Sequence, residues 1–151
     1  MNVKLPTWAQ FPLAAAVLLL GLAAITAGHD DGGAAQVASP LATAPLWLLA
    51  MVGIVVPVGE VLVWSVAFVE SAARLIQAPV LGALVGVVFY SAVYHAAGGP
   101  LAMVASAWVG GVVNATYVLL RRNSVRRAIV YAIGLRWFFI AFAVALLRGW
   151  L

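Results

Sequence analysis

Two charges stand inside otherwise apolar runs of this 151-residue chain. Glu60 lies within VVPVGEVLVW, and Arg136 lies within IVYAIGLRWFFIAF. A charge in the middle of a lipid-embedded helix costs on the order of 2.5–3.5 kcal/mol on insertion scales, so it calls for a partner. Counting along the expected helices puts Glu60 about nine residues from its inner end, roughly 14 Å at 1.5 Å per residue. Arg136 is about eight residues in, roughly 12 Å. Asn114 falls only a turn or so lower. The expectation is an intramembrane ion pair of Glu60 and Arg136 with Asn114 beside it as a hydrogen-bonding neighbour, a structural cluster more than a reactive one.

The remaining candidates for chemistry are few. His95 sits near the outer end of its helix, beside Gly98, Gly99 and Pro100, where a lone imidazole is more often a surface hydrogen-bonding group than a base. With Glu60 it forms the only candidate catalytic pair. His29, Asp30 and Asp31 adjoin one another in a loop and read as a solvated segment, not a metal site. Asn114–Ala115–Thr116 matches a glycosylation sequon but falls inside an apolar run. The chain has no cysteine, which removes disulfides, thiolate zinc sites, iron–sulfur clusters and thiol nucleophiles. Nucleophile-elbow, phosphate-loop and HExxH patterns are absent, and the two histidines are in different segments. The expectation is therefore no cofactor and no metal.

Those residues need elements to hold them, and composition names the kind. Hydrophobic residues make up 66% of the chain, charged residues 8%, and the mean hydropathy is +1.14. Soluble domains carry roughly 25% charged residues, so the expected solvent is largely lipid. The fold class expected is all-α, a polytopic integral membrane bundle forming a single domain. Spans need about 20 apolar residues. Five are expected, at 11–28, 46–69, 79–97, 101–120 and 128–147. The first also has the form of a signal peptide, with Lys4 ahead of an apolar run and small residues at its end; we expect a retained helix. Pro57 removes a backbone donor, which predicts a kink near residues 53–57.

Orientation follows from the basic residues. Lys4, Arg74, Arg121, Arg122, Arg126 and Arg127 fall on one side of a five-span chain and only Arg148 on the other. The positive-inside rule puts the first group, with the N-terminus, in the cytoplasm and the C-terminus outside the inner membrane. The same rule turns the arginine cluster into a topogenic loop, so nucleic acid is not an expected partner. Trp8, Trp47 and Trp150 fall at the expected interfaces, and Trp64, Trp108 and Trp137 lie deeper. Gly82 and Gly86, then Ala107, Gly111 and Ala115, recur at four-residue spacing, which places small residues on one helix face for close approach.

From Val56 to about Arg136 the chain resembles the CAAX-protease and bacteriocin-processing (CPBP) family of glutamic intramembrane proteases. Glu60 matches the second glutamate of the family's first motif, with Gly59 in place of the first glutamate and Trp64 in place of its arginine. FYSAVYH, residues 89–95, resembles the second motif, with His95 matching. WVGGVVNATY, residues 108–117, resembles the glycine-containing helix, and residues 122–125 the turn after it. Ala132 then falls where the second histidine belongs and Arg136 where the asparagine belongs. The resemblance implies a degenerate relative. In the family, paired glutamate and histidine residues would activate a water to attack a peptide bond.

Three functions are in view. The first is a non-catalytic accessory or scaffold subunit of a larger membrane complex, possessing lipid and other membrane subunits as partners, with an energy-converting assembly as one setting. The second is a CPBP-type intramembrane protease, which needs Glu60 and His95 on one water-accessible wall. The third is a small proton-linked transporter, which needs Glu60 open to solvent.

Overall fold

The computed structural model describes residues 7–26, 44–95 and 99–150, all but a few of them helical. Among the described residues five helices follow one another: α1 (Thr7–Thr26), α2 (Leu46–Leu75), α3 (Pro79–His95), α4 (Gly99–Arg121) and α5 (Val125–Leu147). Among the described residues there is no strand. Leu46–Leu75, Gly99–Arg121 and Val125–Leu146 are long and apolar enough to cross a membrane; the apolar stretches Ala9–Ile25 and Pro79–Ala92 are shorter.

The helix ends differ from the sequence expectation for local reasons. Helix α1 begins four residues earlier than expected, at Thr7; residues 27 and 28 lie outside the described residues. Helix α2 continues six residues past the expected end at 69, because Glu70, assigned to a loop on its charge, has a partner within the bundle. It ends at Leu75, two residues before Gln77, whose φ of 55° is left-handed, while the Ala78 amide bonds back to the Ala72 carbonyl at 3.2 Å. Such left-handed closure satisfies the last carbonyls of a helix. Helix α4 starts at Gly99, with φ 81°, and takes Pro100 into its first turn, where no intrahelical N–H is needed. Helix α5 starts three residues early because Ser124 caps it, accepting from the Arg127 amide at 3.3 Å.

Helix α2 runs on through Pro57 and widens one turn later, into a π-helix at Val61–Ala67. The burial pattern supplies a reason. Pro57, Val61, Ser65 and Val69 are all buried, one every fourth residue. In a helix of 3.6 residues per turn such a row drifts around the axis. A wider turn absorbs the drift, so the row keeps facing the bundle.

Helix α4 is the most buried of the long helices and packs against α1, α3 and α5. The core gathers Val61, Val69, Val113, Tyr117, Val118, Ala132 and Leu135 around it. Trp108 on α4 donates its indole N–H to the Leu18 carbonyl of α1 at 3.1 Å, and a Cβ on Gly21 would run into that ring. Trp137 of α5 donates to the Ile54 carbonyl of α2 at 3.2 Å, and Arg148 to the Ala44 carbonyl. Trp47 and Trp150 are exposed; the side chain of Trp8 lies outside the described residues.

The small residues separate into two groups. A Cβ on Gly82 would meet Ala72 Cβ at 2.7 Å and the Phe68 backbone, and one on Gly86 would strike the Trp64 carbonyl. These two let α3 lie directly on α2. The stripe expected on α4 is displaced. Gly111 has nothing within 4 Å, whereas a Cβ on Gly110 would lie 3.1 Å from the Tyr90 ring. Ala115 is exposed and Ala107 half-buried. The packed row on α4 runs through Ser106, Gly110, Val113, Asn114 and Tyr117, adjacent to the expected one, since spacing alone does not fix which face a neighbour takes.

Candidate functional site

Glu60 and Arg136 meet. Glu60 occupies the last α-helical position of α2 before the π-helical stretch, and Arg136 reaches it from α5 as a hydrogen-bonded ion pair. Both side chains are buried, 8% and 7% exposed. The same guanidinium nitrogen donates to the Tyr90 hydroxyl of α3 at 2.6 Å. The guanidinium carbon lies 5.0 Å from the Tyr90 ring centroid, within the distance at which an aromatic face attracts a cation. Three helices thus converge on one buried cluster.

Asn114 does not join the cluster by a direct hydrogen bond. Its Nδ2 donates to the Gly110 carbonyl one turn back, at 3.0 Å, and its buried Oδ1 has no hydrogen-bond partner. It lines the same cavity as Glu60, Tyr90 and Arg136, a space of about 10 Å³. That volume is at the lower limit for a single water. The expected hydrogen-bonding neighbour is therefore replaced by Tyr90, which residue type alone does not distinguish from Ser91 and Tyr94 on the same helix.

His95 ends α3, five residues beyond Tyr90, and its side chain lies outside the described residues. The expectation placed on it as a catalytic partner, and that on His29, Asp30 and Asp31 as a solvated loop, fall there too. Ala132 is fully buried in the core. Among the described residues no group of three His, Cys, Asp or Glu side chains is placed to hold a metal.

A second cluster escaped the sequence reading. Glu70, near the end of α2, accepts from Arg121 Nε at 2.7 Å and from Arg121 Nη2 at 2.8 Å, and the Tyr117 hydroxyl donates to it at 2.8 Å. Two-pronged contact of this kind is the strong geometry for arginine and carboxylate. Its two charged side chains are about a fifth exposed, 20% for Glu70 and 19% for Arg121, whereas Tyr117 is fully buried. The available signal was Tyr117 four residues before Arg121, a spacing that stacks both on one face of α4.

Comparison with protein-family models, with curated proteins and with solved structures finds no match.

Proposed function

We propose that this chain is an integral membrane bundle crossing the inner membrane five times, and that it works as a non-catalytic accessory or scaffold subunit of a larger membrane complex. The observation that carries this reading is the pairing of Glu60, 8% exposed, with Arg136. Its carboxylate is held by Arg136, and the cavity around it is about 10 Å³. A general base must reach its water and its substrate, and a proton carrier must exchange with solvent. A carboxylate tied to arginine in that space does neither; it joins helices. The CPBP resemblance is, on this reading, one of helix order with the catalytic groups replaced.

The membrane reading is supported by the three long apolar helices and by the mean hydropathy of +1.14. The scaffold reading is supported by the outer half of α2. Trp47, Met51, Ile54 and Val55 there are each more than half exposed, an apolar surface that the described residues leave uncovered. The start of α1 and the 121–127 turn belong on the cytoplasmic side, and the end of α5 outside.

A photo-crosslinker at Met51 in native membranes is expected to give one discrete protein adduct. Cleavage of a membrane-anchored peptide by the purified chain, lost on Glu60→Gln, would replace this reading with the protease. Orientation is checked by single-cysteine labelling in the cysteine-free background. Asn123→Cys should react only after the membrane is opened, and Gly32→Cys in intact cells.

A further inference from the structure

The junction of α4 and α5, from Arg121 at the end of α4 to Arg127 in the first turn of α5, carries positive charge that the described chain does not balance. Arg121 is taken up by Glu70. Arg122, Arg126 and Arg127 are exposed, and among the described residues no carboxylate pairs with them. Beside this junction, between α1 and α4, runs a groove of about 390 Å³. That is within the roughly 300–1,000 Å³ typical of small-molecule sites. Its walls are apolar and partly exposed, formed by Leu13 and Val17 of α1 and Leu119 of α4. Ala115 contributes only a methyl group to its lining, which leaves the space open. Asn123 closes one end, and that residue belongs to the arginine-bearing turn itself.

We propose that this groove binds an anionic phospholipid, with an acyl chain lying along Leu13, Val17, Ala115 and Leu119 and the phosphate at Asn123 and the exposed arginines. The charge selects the headgroup: basic clusters at the cytoplasmic ends of membrane helices attract anionic lipid. The groove fixes the position, since a charged patch alone would hold headgroups without holding any one lipid. The groove is apolar along the helices and ends at Asn123, the residue next to Arg122 in sequence, and a phospholipid has that order of apolar chain and charged head. The inference rests on the chain lying in a membrane.

The experiment is native mass spectrometry of the chain purified in detergent micelles containing phosphatidylglycerol or phosphatidylcholine with the same acyl chains. Phosphatidylglycerol should be retained in excess, by about fivefold for each arginine engaged. Ala115→Trp fills the groove without changing charge and should bring phosphatidylglycerol retention down to the phosphatidylcholine level. Thr116→Leu, a smaller filling of the same groove, should lower it part of the way and stands in if the tryptophan variant aggregates. Replacing Arg122, Arg126 and Arg127 together by Gln should abolish the preference with the groove intact. Equal retention of the two lipids, or a full preference surviving in the groove-filled variants, overturns the site. A chain that stays monodisperse without detergent overturns the membrane reading beneath it.

Discussion

Helix α2 carries two Glu–Arg–Tyr clusters, ten residues apart in sequence with the π-helical stretch Val61–Ala67 between them. The Glu60 cluster joins three helices and is nearly closed to solvent; the Glu70 cluster joins α2 to α4 and its charged side chains are about a fifth exposed. The chemistry is the same and the surroundings are not. Where water or headgroups can reach, each charge has an alternative partner and the pair adds little. Where they cannot, removing one partner strands the other in a low-dielectric interior, which costs far more than the intact pair contributes. The Glu60 cluster therefore acts less as a source of stability than as a constraint on how α2, α3 and α5 can be arranged.

The largest expected effect tests this difference directly. Glu60→Gln and Arg136→Gln should each destabilise the detergent-solubilised chain by about 3–5 kcal/mol, and the double variant should recover part of the loss. Strictly additive losses in the double-mutant cycle would remove the pair from the explanation. The tyrosines sharpen the contrast. A hydrogen bond to a charged group contributes about 1.5–3 kcal/mol, so Tyr90→Phe should fall in that range by thermal unfolding. Tyr117→Phe should cost less, because Glu70, a fifth exposed, can take a water in place of that hydroxyl, although the Tyr117 side chain itself is fully buried. Equal losses at the two sites would mean that depth is not the deciding variable.

Close helix approach is expected to matter at both levels. Gly86→Ala pushes a methyl against the Trp64 carbonyl beside the deep cluster, and Gly82→Ala against Phe68 and Ala72 near the shallow one. Each should cost about 1–3 kcal/mol by overpacking. Gly111→Ala meets open space and should be neutral or stabilising, since alanine favours helix over glycine by about 1 kcal/mol. The smallest effect belongs to Glu70→Gln, about 1 kcal/mol or less. It should shrink as salt is raised, while the Glu60→Gln loss holds steady. A Glu70→Gln loss as large as that of Glu60→Gln and insensitive to salt would show the shallow cluster to be dry.

The helical, apolar character of the chain was legible in its composition and in its long unbroken apolar runs. So was the height of each buried charge, because every helical residue advances a fixed 1.5 Å. That count put Glu60 and Arg136 at one level without any knowledge of packing. What lay outside its reach was rotation. Each residue turns about 100° around the helix axis, so a neighbour's small displacement decides whether Gly110 or Gly111 faces α3, and whether Tyr90 or Asn114 reaches the arginine. The π-helical turn at Val61–Ala67 changes that phase partway along α2 and leaves no clear mark in residue type. Glu70 shows the same limit from the other side. By charge alone it belonged in a loop, and only the arrival of Arg121 and Tyr117 from α4 made it part of a helix that continues to Leu75. Position along an axis adds up locally along the chain; the facing of side chains is settled between helices, by which contacts they can make together.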